Sequence, residues 1–496
     1  MGNSKLDALL WEQIPFDNLL IPGASVIVKD NMDFIPFEDI DELCLSRDES
    51  YNIKITCIRR LNKTTSERRL IAKADNQTKA GQIVPAGKII IELFKDYLIE
   101  LSPCYYNGYK SSMEKVEYDI ICYHIESKTN KNPVVLKEWI LNGSRSGLAI
   151  CGSKTFEYSV DGTTYGKYGD FEFPVKEAIP EREYYGRFTH IEYKDTAFDI
   201  HFVGDSYGPK WSKNFSISYF EKYGRIPDLN EREMIRDYLS FFMGKQLLYI
   251  GNSTYDEMGN QIGFIMENPL TYSFDIERIC CNAEKPPINC DYNELQTYFD
   301  TLQRHIESFS DIYDKLDFKN LFFNYWYARN IAKPMDLPIL SSALEHLKSQ
   351  WYKEVEMNPD TVLMDKKDFA KRIKPVKQLM AEQFAGTGLE DRMKRSLEGM
   401  NRMSVNEQLN HFFDKIGVTL GTHENEAMKA RNLPAHGSYQ NAENDPHSLF
   451  VTSQLYEVIM NRIILALLGY KGKYIDYGSV GYPQKDINEP GGGDNT

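Results

Sequence analysis

Between residues 429 and 437 the chain reads Lys-Ala-Arg-Asn-Leu-Pro-Ala-His-Gly. Arg431 precedes His436 by a short spacing, and Asn432 follows the arginine directly. A guanidinium holds the non-bridging oxygens of a phosphodiester as a planar fork and offsets charge that grows there in the transition state. An imidazole gives or takes a proton near neutral pH. Asn432 is placed to orient the phosphate or the attacking hydroxyl. On RNA that hydroxyl is the neighbouring ribose 2′-OH, so this chemistry asks for no metal. Spacing alone carries little weight, since a chain with this many Arg and nine His supplies about one such match by chance. On these residues alone a structural role stays open: Arg431 capping carbonyls at a helix end, with His436 hydrogen-bonded to backbone.

The elements that must hold these residues are helical. Pro434 disfavours helix at Leu433, so a helix from Thr422 should end near Arg431 or Asn432 and leave His436 on a loop. The next helix is marked by Asp445 as N-cap and Pro446 at its first position. Its stretch from Ser448 to Leu468 is apolar almost all round, which predicts the centre of a bundle. Helical periodicity also runs through Leu295, Phe299, Leu302, Ile306, Phe309 and Tyr313, and recurs over 336–356, 366–384, 389–402 and 404–417.

The first half has a different period. Ile53, Ile55 and Cys57 alternate with polar neighbours, as do Val116, Tyr118 and Ile120, and Phe198, Ile200 and Phe202. Residues 88–93 read as a more fully buried strand, and a helix is expected over 230–246 with Asn230 as its cap. Glu284-Lys285-Pro286-Pro287 reads as a linker. The expected fold class is therefore α+β multidomain: a β-rich, sandwich-like domain over 1–285, an all-α bundle over 286–490, and a flexible tail over 491–496.

With 496 residues, 42% hydrophobic and 26% charged, the composition is globular and excludes wholesale disorder. The formal net charge of −14 argues against a general DNA-coating role. Positive charge is concentrated instead, in a run containing Lys371, Arg372 and Lys374 and another containing Arg392, Lys394 and Arg395. These are candidate RNA-binding residues; solvated helix faces are the ordinary reading of such runs. No CxxC pair, HExxH, phosphate-binding loop, dinucleotide fingerprint or GxSxG elbow occurs, so no metal and no cofactor are expected. The expected location is cytoplasmic, without secretory signal or membrane span.

Arg431-Asn432, three residues, then His436-Gly437, between helices and ahead of an apolar C-terminal helix, resembles the R-x(4–6)-H signature of the HEPN superfamily. The β-rich half followed by a helical bundle is similar in layout to ApeA-type phage-defence proteins. The resemblance implies a metal-independent endoribonuclease acting on RNA, tRNA being one candidate. Arg431, Asn432 and His436 would be catalytic, in a homodimer or higher assembly, with a phage-derived trigger acting through the first domain. Two alternatives accompany it. One is a non-catalytic RNA-binding or interaction bundle with a β-rich ligand-binding domain; the other is a carbohydrate-active β domain.

Overall fold

The computed structural model describes residues 19–22, 26–29, 40–61, 84–94, 97–112, 114–128, 132–143, 155–160, 163–168, 171–176, 189–202, 215–259, 261–272, 274–290, 295–355, 362–430 and 446–493. The chain divides into two compact units, Met1–Glu284 with Cys290–Arg304, and Lys285–Asn289 with His305–Thr496. A β-rich region comes first and a helical region follows, the layout expected from the change of period.

In the first unit the strands are β1 (Leu19–Pro22), β2 (Val26–Lys29), β3 (Glu42–Arg47), β4 (Ile53–Arg60), β5 (Val84–Phe94), β6 (Tyr97–Ser111), β7 (Lys115–Cys122), β8 (His124–Lys128) and β9 (Val135–Ile140). They continue as β10 (Thr155–Val160), β11 (Thr163–Tyr168), β12 (Phe171–Lys176), β13 (Thr189–Tyr193), β14 (Thr196–Phe202), β15 (Phe215–Phe220), β16 (Tyr249–Tyr255) and β17 (Gln261–Glu267). Hydrogen bonds join most of them in one path, β1-β3-β4-β7-β6-β8-β17-β16-β9-β15-β14-β13, with β5 also on β6 and β2 on β5; β10, β11 and β12 form a separate sheet.

The two ends of that path differ in burial. Along β4 and β7 alternate residues are buried, so Ile53, Ile55, Cys57, Val116, Tyr118 and Ile120 enter one core and their neighbours face outward. Residues 88–92 alternate in the same way, where a more fully buried strand was expected. By contrast β9 and β15 are buried at every position, so both faces of the sheet are covered there. The polar residues between the apolar ones are then internal as well. Asp199, between Phe198 and Ile200, is fully buried and pairs with His190 Nδ1 at 2.6 Å.

The helix within this unit is α1, Leu229–Met243. Its cap is Asp228 rather than Asn230, because Asp228 and Glu231 form a reciprocal capping box that satisfies two orphan N–H groups. Arg232 and Arg236, one turn apart, fasten it to the sheet: Arg232 Nε and Arg236 Nη1 donate to Glu138 Oε1 on β9 at 3.0 and 2.5 Å. Glu138 is fully buried, and Tyr219 Oη donates to its other oxygen at 3.4 Å. A short helix, α2, spans Ile276–Cys281. The next, α3 (Leu295–Tyr313), contributes residues to both units.

The second unit continues with α4 (Phe318–Asn330), α5 (Asp336–Glu354), α6 (Lys366–Phe384), α7 (Glu390–Gly399), α8 (Val405–Ile416), α9 (Thr422–Ala430) and α10 (Pro446–Leu467), then the hairpin β18 (Lys473–Ile475) and β19 (Gln484–Asp486). The sequence-based ranges agree closely with these helices, apart from α2 and α4, which were not anticipated. Pro446 begins α10 as expected, and Asp445 lies outside the described residues. Residues 285–287, read as a linker, are part of the second unit's packing. Ile475 N donates to Pro287 O at 2.9 Å and Tyr477 Oη to Pro286 O at 2.9 Å.

Removing a cap side chain exposes the N–H groups it satisfied. Asp228→Ala should therefore lower stability by about 1 kcal/mol in urea unfolding. An unchanged midpoint would show that α1 is held by its sheet contacts alone.

Candidate functional site

Arg431, Asn432 and His436 lie outside the described residues, within 431–445. What is described is the pair of helices on either side of them. One is α9, ending at Ala430; the other is α10, starting at Pro446.

These two helices are joined by a buried ion pair. Arg462 on α10 and Glu424 on α9 have no side-chain exposure, and Arg462 Nη1 donates to Glu424 Oε1 at 2.5 Å. The remaining donors of the fork are also used: Nη2 reaches Thr419 O at 3.0 Å and Ile487 O at 3.1 Å, and Nε reaches Ile487 O at 3.3 Å. The carboxylate accepts further from Gly421 N at Oε2 and Gly491 N at Oε1, both at 3.0 Å. Tyr474 lies beneath the guanidinium, 5.3 Å from its ring centroid. Satisfying both ions in this way is what makes a buried pair tolerable.

Helix α10 carries a second polar line at successive turns, Ser453, Glu457 and Asn461. Ser453 donates to Asp336 at the start of α5, and Tyr325 Oη on α4 donates to Asn461 Oδ1 at 2.7 Å. Arg329 Nε lies 2.9 Å from Glu457 Oε1, with Lys285 Nζ at 3.6 Å and Lys333 Nζ at 3.7 Å from Oε2. Burial alone would raise the Glu457 carboxyl, but Arg329, Lys285 and Lys333 outweigh it and hold it at about 2. The length and apolarity of α10 would suit a membrane span, yet 72% of that window is buried inside the protein and its polar residues are paired.

The glycine run near the C-terminus is not loose as expected. Gly491 N donates to Glu424, Gly492 N to Asp476 Oδ2 at 2.9 Å and Gly493 N to Ser479 Oγ at 2.8 Å. Asp476 is itself fully buried and receives Lys485 Nζ at 2.8 Å. A Cβ at Gly491 would lie 3.0 Å from Val458 and 3.1 Å from the Glu424 carboxylate, so a glycine lets the chain approach this closely. Only 494–496 of the expected tail lie outside the described residues.

The two basic runs are brought together. Helices α6 and α7 pack on one another as a hairpin, closed at its base by Leu363 N to Asn401 O at 3.0 Å and clasped by Lys377 to Glu398 at 3.1 Å. No residue of α6 is buried, and Leu397 alone is buried on α7. Lys371, Arg372, Lys374, Arg392, Lys394 and Arg395 are all exposed, and none has a carboxylate partner among the described residues. Val376, Leu379, Leu389 and Met400 are exposed on the same hairpin. It is thus a positively charged, partly apolar surface on a chain of net charge −14.

Other histidines have structural partners. His305 Nδ1 is 3.1 Å from Leu468 O, His346 Nε2 is 2.9 Å from Asp317, and His411 Nδ1 is 2.8 Å from Tyr352 Oη. Among the described residues no cluster of His, Cys, Asp or Glu is arranged to hold a metal ion. Comparison with protein-family models, with curated proteins and with solved structures gives no match.

Removing one partner of a buried pair leaves an uncompensated charge. Glu424→Ala should cost about 3–5 kcal/mol, and the double variant Glu424→Ala with Arg462→Met should cost less than that single one. Equal losses would mean the pair is not the fastening described. Glu457 supplies a pH signature. Its folded carboxyl sits below the ordinary 4.5, so its contribution is complete above that value and is lost as pH falls toward 2. Glu457→Gln should therefore flatten the acid limb of the stability curve, measured between about pH 5 and pH 2.5. An unaltered limb would contradict this.

Proposed function

We propose that the helical unit is a HEPN-type, metal-independent endoribonuclease of anti-phage defence, acting in the cytoplasm and restrained or triggered through the β-rich unit. His436 is the general acid or base, Arg431 binds the phosphate, and Asn432 positions it. Attack by the ribose 2′-OH on the adjacent phosphorus displaces the 5′-oxygen and leaves a 2′,3′-cyclic phosphate. A homodimer would set two such motifs face to face. RNA, with tRNA as one candidate, is the substrate.

The observation that carries this reading is the clamp between the helices on either side of the motif. Glu424 and Arg462 fix where α9 ends relative to α10, so the connection bearing Arg431, Asn432 and His436 has both ends held. Catalytic groups need such rigid supports. The exposed hairpin cations Lys371, Arg372, Lys374, Arg392, Lys394 and Arg395 add a second support, because unpaired positive charge on an acidic chain suits a polyanion. That same observation favours the alternative of an RNA-binding bundle that does not cut.

Purified protein incubated with total tRNA and a chelator separates the two. The wild type should cut, while His436→Ala and Arg431→Ala should lose about 10²-fold or more in rate with their melting unchanged. Retained binding without cutting by the wild type would favour the alternative. Reversing Lys371, Arg372 and Lys374 to Glu should weaken RNA binding and flatten its salt dependence. Binding that is unaltered by this reversal would remove the hairpin from the interface.

A further inference from the structure

Strands β6 and β7 run antiparallel, and at one end of their ladder Cys104 stands directly opposite Cys122. Opposed residues of antiparallel strands have Cα atoms about 4.5–5.5 Å apart, inside the range of about 4.4–6.8 Å that a disulfide spans. Both side chains lie in the core of the first unit. Cys122 Sγ also lies 3.1 Å from His124 O, and Cys104 Sγ 3.4 Å from Leu101 O. No other pair of described cysteines is matched in register across a ladder.

We propose that Cys104 and Cys122 are a peroxide-responsive dithiol that closes to a reversible intramolecular disulfide.

On one edge of β6 the pair sits where one ladder gives way to the next. Strand β6 pairs with β7 over 104–111 and with β8 over 98–101, leaving Ser102 and Pro103 between the two ladders. Tyr123, between β7 and β8, is 52% exposed, and its N–H reaches Pro103 O only at 3.4 Å. Opening at this seam brings a water-sized oxidant to thiols that are otherwise covered. Cys122, next to the exposed Tyr123 at this seam, is the attacking sulfur and Cys104 the resolving one. Cys57 shares the same core, but burial pushes it up to about 12 and Tyr118 faces it across the ladder.

The chemistry balances with a hydroperoxide as oxidant. The Cys122 thiolate attacks the peroxide oxygen, the O–O bond breaks, and the leaving oxygen takes up the thiol proton as water or an alcohol. Cys122 is now a sulfenic acid. The Cys104 sulfur attacks it, the S–S bond forms, the S–O bond breaks, and hydroxide leaves with the Cys104 proton as water. Two thiols lose two electrons and the peroxide gains them. An external dithiol reopens the bridge by thiol–disulfide exchange.

The test uses the full chain. The reduced protein is exposed to hydrogen peroxide, quenched in acid, alkylated under denaturing conditions and mapped by peptide mass spectrometry. A Cys104–Cys122 linked peptide should become the main form of both peptides and disappear after dithiothreitol. Oxidation of the exposed Cys281 while Cys104 and Cys122 stay as thiols would overturn the proposal. In Cys104→Ser, Cys122 should stop at the sulfenic acid and be labelled by a 1,3-dione probe. Absence of that label, where the wild type forms the cross-link, would overturn the assignment of Cys122 as the attacking sulfur.

Discussion

A guanidinium and a carboxylate removed from water hold a fold together only when every donor and acceptor around them is met. In the helical unit that requirement recruits four pieces of chain to one point: α9 through Glu424, α10 through Arg462, the turn at Thr419 and Gly421, and the C-terminal stretch at Ile487 and Gly491. Arg462 thereby ties α10 to the other three pieces. The line Ser453, Glu457 and Asn461 then meets Asp336, Arg329 and Tyr325. The connection over residues 431–445 begins and ends on elements held in this way.

The β-rich unit repeats the principle with different partners. Glu138 lies on a strand buried at every position and is satisfied by Arg232, Arg236 and Tyr219, so α1 is bound to its sheet by charge as well as by apolar packing. The hairpin of α6 and α7 is the counterexample. Lys371, Arg372, Lys374, Arg392, Lys394 and Arg395 face water without carboxylate partners among the described residues, so they contribute little to holding the fold and are available to an external polyanion.

Much of this organisation was legible in the chain. Helical ranges such as 366–384 agree with the structure because apolar residues recur at helical steps. Helix α4 escaped notice because its residues, Phe-Lys-Asn-Leu-Phe-Phe-Asn-Tyr-Trp-Tyr-Ala-Arg-Asn, are dense in aromatics that equally suit a sheet face. Asn461 and Arg462 were visible only as interruptions in an apolar run, since periodicity records residue type and not the partner supplied from elsewhere. The same reason explains the glycine run at 491–493, whose composition suggests a loose end while its N–H groups meet carboxylates and a hydroxyl. The Arg431–His436 spacing was readable as a motif; both residues lie outside those described.

The central claim is that Arg431 and His436 cut RNA. The most direct measurement maps 2′,3′-cyclic phosphate ends in RNA from cells expressing the wild type or His436→Ala, with and without phage. The account predicts new cyclic-phosphate ends in the wild type alone. Identical RNA ends in both, under an infection that both resist equally, would contradict it.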